Sequence, residues 1–250
     1  VMYNGARGIW VAEALRRGLP VISDKPLCTT LADLERIRAA HEESRAPLCM
    51  MLTCRNVPVY AGVRAAVQSG KIGEVLAFEG CRYYPLNRPE RPDWMFDREK
   101  YGGPGLDILI HDYDLARWST GIEWSELLLG EARTGLYPDA DFSDTALLSG
   151  LDSGRPLALS MLWHSPAGYS NRLAVYGTRG CIEIPMSSEA VLRNEKGEVT
   201  ALPVHEVPDF TGQFFSALLD GDSEFPVSGE EAIAVTGNIL RARSFPRQGL

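Results

Sequence analysis

Asp107, His111 and Asp114 are spaced four and three residues apart, and this spacing is the strongest sign of chemistry in the chain. On a helix turning about 100° per residue, the three fall in one narrow stripe. Leu106, Leu109, Ile110, Tyr113 and Ala116 form an apolar face on one side of it, and Ile108 and Leu115 flank it on the other. A helix greasy on both sides buries that acid–imidazole–acid line, which is costly unless the groups pair or do chemistry. Asp107 would lie in the first turn, where the helix dipole favours a carboxylate. One turn from His111, it could orient the ring or stabilise an imidazolium, making His111 a candidate general base. A buried histidine satisfied by its acidic neighbour fits the same pattern. No further ligands stand at metal-binding spacing, so no metal is expected.

Two other places carry suitable groups. Asp24-Lys25-Pro26 follows a short apolar run that reads as a parallel strand, and ligands of open α/β sheets gather beyond the carboxyl ends of such strands. Proline holds the preceding Lys25 extended, so its ammonium has a defined exit and could polarise a substrate oxygen or touch a cofactor ribose. A turn with a solvated lysine accounts for the same residues. Further on, Tyr83, Tyr84, Arg88, Arg91, Trp94 and Arg98 crowd one irregular stretch. Aromatics and arginines on a loop suit a polyhydroxylated ligand, and equally suit a loop pinned to its own core.

The elements that must position these groups are legible from periodicity. Val1 to Asn4 reads as the end of a strand, and Ala6 to Arg17 as a helix with apolar Ile9, Trp10, Ala12, Ala14 and Leu15, closed by Gly18. Leu19 to Ser23 and Leu48 to Thr53 read as buried strands around a second helix. That helix opens on the Thr30-Leu31-Ala32-Asp33 capping pattern, with Leu31, Leu34, Ile37 and His41 on one face. Such alternation is the arithmetic of a doubly wound (Rossmann) parallel sheet, here partial. Val57 to Ser69 reads as a helix and Val75 to Tyr84 as a strand. Glu126 to Ala132, Thr145 to Leu151, Pro156 to Trp163, Arg172 to Tyr176 and Cys181 to Pro185 then read as strands of a mostly antiparallel sheet, with helices from Asp209 to Leu219 and Gly229 to Arg243 closing the chain. The expected fold is thus α/β plus α+β: residues 1–54 as the later part of a nucleotide-type domain and 55–250 as an α+β domain with a large open sheet.

The chain has 250 residues, 45% hydrophobic and 23% charged, with a formal charge of −8. Its basic residues form no stripe, which argues against nucleic acid. No apolar run approaches the roughly 18 residues of a membrane helix, so no membrane partner is expected. Five cysteines (Cys28, Cys49, Cys54, Cys81 and Cys181) without CxxC spacing read as reduced, buried thiols of a cytoplasmic protein.

These motifs together resemble the Gfo/Idh/MocA family, which includes glucose–fructose oxidoreductase and inositol dehydrogenase. The resemblance runs through Ala14-Leu15-Arg16-Arg17-Gly18 before Asp24-Lys25-Pro26, Arg55, Gly70-Lys71-Ile72-Gly73-Glu74-Val75, the Gly102-Gly103 to Asp114 helix, and Gly177-Thr178-Arg179-Gly180. It implies hydride transfer between NAD or NADP and a sugar, cyclitol or other polyol. His111 would take the hydroxyl proton, Asp107 would hold its tautomer, and Lys25 would orient the oxygen. Asn4, Asp24, Lys25, Pro26 and Arg55 would face the cofactor, and Tyr84, Arg88 and Trp94 would join Lys25, Asp107 and His111 around the substrate. The resemblance also implies a homo-oligomer built through the open sheet. A redox-neutral relative using NAD for glycoside cleavage or epimerisation, or a non-catalytic sensor or inert fragment of the same fold, would share these motifs. Asp24 stands where the family has Glu, and Arg7 where many members have His. The family's Gly-rich phosphate loop would precede Val1, so the chain reads as N-terminally truncated and inactive alone.

Overall fold

The computed structural model describes residues 2–166, 168–185, 189–221 and 224–245. The chain opens with helix α1 (Asn4–Arg16), strand β1 (Val21–Ser23), helix α2 (Leu31–Ser44) and strand β2 (Leu48–Met50). β1 and β2 pair in parallel, Val21 beside Leu48 and Ser23 beside Met50. Residues 2 and 3 are not a strand, and α1 begins at Asn4 instead. Its buried line is Asn4, Arg7, Gly8, Val11, Ala12 and Leu15, packed on α2. Ile9 and Trp10, expected in the apolar face, therefore point away and are 55% and 61% exposed. Leu31 also points outward, because it is the first residue of α2 and lies off the Leu34–Ile37 face. The Thr30 hydroxyl does cap α2, accepting from Asp33 N at 3.1 Å.

A 3-10 turn (Thr53–Asn56) leads into helix α3 (Pro58–Gln68) and strand β3 (Val75–Tyr83). After a loop and the short helix α4 (Arg98–Tyr101), a π turn (Gly105–Leu109) runs directly into helix α5 (Ile110–Thr120). Strands β4 (Leu127–Ala132), β5 (Thr145–Asp152), β6 (Arg155–Leu162), β7 (Ser170–Gly177) and β8 (Gly180–Ile184) follow. Strands β9 (Val191–Asn194) and β10 (Val199–Ala201), helices α6 (Phe210–Asp220) and α7 (Gly229–Arg241), and strand β11 (Arg243–Ser244) complete the described chain. Strands β9, β10 and β11 are too short or too polar to announce themselves in the sequence.

The large sheet has the order β10-β9-β8-β7-β3-β6-β5-β4-β11. It is mostly antiparallel, with parallel pairs among the described residues at β3–β6 and β4–β11. Helix α5 is sandwiched: it touches β3 on one side and α3 and α7 on the other. Leu157, Leu159 and Met161 of β6 face that core, while the alternate residues of β5 and β6, such as Leu147, Leu151 and Ala158, stay exposed on the other face.

Gly103 controls the entry to the π turn. It sits at φ 99°, and a Cβ there would lie 2.5 Å from the Glu131 carboxylate, which accepts from Gly105 N at 2.8 Å and pairs with Arg98 at 2.6 Å. Gly103→Ala therefore meets both backbone strain and a displaced carboxylate. It is expected to destabilise the fold by about 1–3 kcal/mol, read by calorimetric melting.

Candidate active site

Lys25 follows β1 directly and reaches across to the π turn. Its Nζ donates to the Asp107 carbonyl at 2.7 Å and to the Asp107 carboxylate. The second carboxylate oxygen accepts from the Tyr101 hydroxyl at 2.9 Å, and Trp163 Nε1 donates to that same hydroxyl at 3.3 Å. Burial, with the Asp107 charge second, pushes the Tyr101 phenol well above its ordinary pKa, so it stays protonated and donating. Lys25 and Asp107 keep 19% and 16% of their side-chain surface, enough for a ligand to touch the pair.

His111 lies one turn further on, with Nδ1 buried and without a partner among the described residues. Burial first, then the positive charges of Lys25 and Arg82, hold its pKa well below the usual value. The imidazole is therefore neutral near pH 7. The expected Asp107–His111 hydrogen bond is absent, because both Asp107 oxygens are taken by Lys25 and Tyr101. The π turn explains this: it winds wider than an α turn, so Asp107 leaves the stripe that α spacing assigns to it.

A consequence for stability follows from the sign of the His111 shift. Below about pH 6.5 the unfolded chain takes up a proton that folded His111 refuses, so stability falls as the pH drops until the lower folded pKa is reached. His111→Gln is expected to lose less melting temperature between pH 7 and pH 5 than the parent. Equal losses in the two proteins would contradict the neutral buried imidazole.

Asp114, the third residue of the stripe, is fully buried and turned to a different task. It forms a two-point ion pair with Arg55 at 2.6 and 2.9 Å, and Arg55 also meets Glu231 at 2.9 Å and the Pro226 carbonyl at 3.2 Å. Burial pulls the Arg55 guanidinium down, but Asp114 and Glu231 more than offset it and hold it above its ordinary value. The geometry thus places Arg55 about two helical turns beyond the residue that Lys25 contacts, with every nitrogen committed within the protein. A cavity of about 480 Å³ lies there beside Arg55, Arg64 and Trp118.

The remaining residues divide between the site and its scaffold. Asn4 is buried, and its amide donates to the Tyr101 carbonyl at 3.0 Å, so it braces α4. Asp24 is largely exposed beside Arg7, which donates to the Pro26 carbonyl at 2.7 Å; the Lys25–Pro26 peptide bond is cis. Tyr84 accepts from Arg82 Nη1 at 3.0 Å and packs on Trp163, ring centroids 5.8 Å apart. Trp94 stacks on Tyr101 at 6.5 Å. Arg88 forms a two-point pair with Asp139 and lies over Phe96, which pins its own loop.

Arg82 and Asp112 escaped the sequence reading. They pair at 2.7 Å under the large sheet, leaving the other Asp112 oxygen buried and unpartnered among the described residues. The missed signal was Arg82 at a core-facing position of β3, in alternation with Phe78 and Gly80.

Lys25, which keeps part of its side-chain surface just after the carboxyl end of β1, and the unpartnered Nδ1 of His111 fit a nicotinamide cofactor with its substrate. A cavity of about 280 Å³ runs beside β1 itself, lined by Arg7, Trp10, Val11, Ile22, Ser23 and Asp24. Among the described residues no cluster of three or more His, Cys, Asp or Glu could hold a metal, and no helix is long and apolar enough to cross a membrane.

A parallel β-α-β layer joined to a large open sheet thus brings Lys25 and Asp107 together just after the carboxyl end of a strand, with His111 one turn on. Residues 60–183 match the GFO/IDH/MocA C-terminal domain. It is 29% identical over 182 residues to a myo-inositol dehydrogenase of Streptomyces leeuwenhoekii, covering 69% of this chain and 53% of the relative. It is 27% identical over 225 residues to an NAD+-dependent scyllo-inositol 2-dehydrogenase of Bacillus subtilis, covering 86% and 61%. The chain thus spans a little over half the length of these relatives. A Thermotoga maritima structure described as an oxidoreductase superposes with a TM-score of 0.88 at 26% identity, over 97% of this chain and 74% of that one.

Proposed function

We propose that this chain carries the catalytic and substrate-binding part of an NAD(P)-dependent oxidoreductase acting on a sugar, cyclitol or related polyol. The observation that supports it best is a neutral imidazole with a buried free nitrogen, His111, set beside a lysine that Asp107 and Tyr101 hold in place. The names of the inositol dehydrogenases to which it is similar point the same way.

In this reading a bound nicotinamide cofactor would supply the hydride acceptor, or donor, for the substrate carbinol carbon. Asp24, Lys25 and Pro26 would lie along its nicotinamide side; Asn4 and Arg55 would support from behind. Lys25 presents its ammonium to the substrate oxygen, and the Asp107 carboxylate sets its direction rather than that of the histidine. His111, uncharged, takes the hydroxyl proton as the oxygen becomes a carbonyl, and gives it back in reduction. Tyr84 and Trp94 would bound the substrate space, with Arg88 holding its loop. The full-length protein should reduce NAD+ or NADP+ with at least one polyol among myo-inositol, scyllo-inositol, glucose and xylose. No reduced cofactor with any of them, and no cofactor binding by calorimetry, would overturn the reading.

The same proposal extends to assembly. The uncovered face of the large sheet, with Leu147, Leu151 and Tyr176 exposed, would join two copies of the chain. Leu147→Glu with Leu151→Glu is expected to shift the particle to half its mass in light scattering. A boundary between Cys54 and Arg55 and a cytoplasmic location complete the proposal.

A further inference from the structure

We propose that the substrate of this site carries a carboxylate on its polyhydroxylated skeleton, and that Arg91 receives it. The identification of the skeleton as a sugar or polyol rests on the function proposed above; the anion contact rests on Arg91 itself.

Arg91 is half-buried on the loop after β3, with its guanidinium over the face of Trp163, 5.1 Å from the ring centroid. Its one hydrogen bond among the described residues runs from Nε to the Leu86 carbonyl at 2.9 Å. That bond fixes the plane of the group and leaves both terminal nitrogens unspent. No carboxylate of the described residues pairs with it. Arg88, three residues earlier, shows the alternative: its charge is consumed by Asp139. Arg91 lines a cavity of about 600 Å³ with Arg88, Pro89, Asp93 and Phe96. Asp93 is exposed there and makes no ion pair with Arg91, so the guanidinium charge stays unneutralised.

The position of this charge ties it to the chemistry. Trp163, on which Arg91 lies, donates through Nε1 to the Tyr101 hydroxyl, and that hydroxyl donates to Asp107. Two buried side chains, the Trp163 indole and the Tyr101 phenol, therefore link the free guanidinium to the Lys25–Asp107 pair. Tyr84 packs on Trp163, and the largely exposed Tyr169 packs on Tyr84 with centroids 5.0 Å apart. The result is an aromatic cluster whose accessible members are Tyr84 and Tyr169, with buried Trp163 behind them and a cation at its edge. Aromatic faces take the C–H side of a sugar ring. A stacked guanidinium keeps its edge N–H groups free for the two-point grip that a carboxylate accepts and a hydroxyl cannot reproduce. Partial desolvation by the indole strengthens that contact over one made in open water.

The test separates binding from turnover in the full-length protein. Calorimetry with D-gluconate and D-glucuronate, against sorbitol and D-glucose, measures the preference for the acid. The parent is expected to bind the acids at least tenfold more tightly. Arg91→Gln is expected to lose about 10–100-fold of acid affinity, the range for a charged hydrogen-bonded contact, and to collapse the acid-to-neutral ratio. Arg91→Lys, which keeps the charge but not the fork, should fall between. Equal affinity of the parent for acid and neutral sugars, or an unchanged ratio in Arg91→Gln with an unchanged circular-dichroism spectrum, overturns the proposal. Steady-state assays with the same compounds and NAD+ or NADP+ address the other question. Tight, Arg91-dependent acid binding with no cofactor binding and no cofactor reduction by these acids or by the neutral polyols sinks the oxidoreductase reading and leaves the anion subsite standing.

Discussion

His111→Ala is expected to lower kcat/KM for polyol oxidation by about 10²–10⁴-fold, the usual contribution of a positioned acid–base group. The same loss should appear in kcat, because proton removal accompanies the chemical step rather than binding. Lys25→Ala should cost a comparable factor, since the ammonium is presented to the oxygen whose charge changes. Lys25→Ala also leaves an Asp107 oxygen without its donor, so its melting temperature must be checked alongside. The parent's acid limb should lie below the ordinary histidine range, because burial first, and then Lys25 and Arg82, disfavour the imidazolium. Turnover by either variant within about threefold of the parent would remove the residue from the proposed chemistry.

The largest stability effect is expected at the Arg55–Asp114 pair in the middle of α5. Arg55→Ala strands the Asp114 carboxylate, which is fully buried and has no other ion-pair partner among the described residues. Removing one member of a buried pair costs about 3–5 kcal/mol. For a chain of this size that corresponds to a fall of roughly 6–20 °C in melting temperature. Asp114→Ala should cost less, because Arg55 keeps Glu231 and the Pro226 carbonyl. The double substitution Arg55→Met with Asp114→Leu should recover much of the loss, since an apolar pair leaves no stranded charge. A melting curve of Arg55→Ala that matches the parent would show that Asp114 finds another partner or takes up a proton at little cost.

Much of the fold could be read because its signals are local. Helices α2 and α7 begin where Thr30 and Ser228 supply caps, and Ser228 with Glu231 closes a full capping box. The paired strands β5 and β6 follow from alternating apolar residues around a two-residue turn. The site was legible only in part. Lys25 and Asp107 were both singled out, yet their contact spans 82 positions and no periodicity reports it. The π turn was invisible because an α wheel fits the same residues nearly as well. Asp112 was passed over because it lies off the Asp107–His111–Asp114 stripe, and only the strand packed beneath it gives it a purpose. Ile9 and Trp10 went wrong for a related reason: hydrophobicity marked them, but the helix turns them away from α2.

The three acids of the π turn and α5 answer bases from three separate segments: Lys25 after β1, Arg55 after β2 and Arg82 within β3. Two of those bases follow strands of the small parallel layer and one lies within the large sheet. The connector helix is therefore an electrostatic rivet. Any motion that spreads the layers apart must pull desolvated charges from their partners at once. Slow hydrogen exchange at β1, β2 and the middle of β3 should then be lost together in a single opening event, rather than layer by layer. Flexibility needed to admit ligands falls instead to the loop bearing Arg88, Arg91 and Trp94, whose ties are nearer the surface and individually weak.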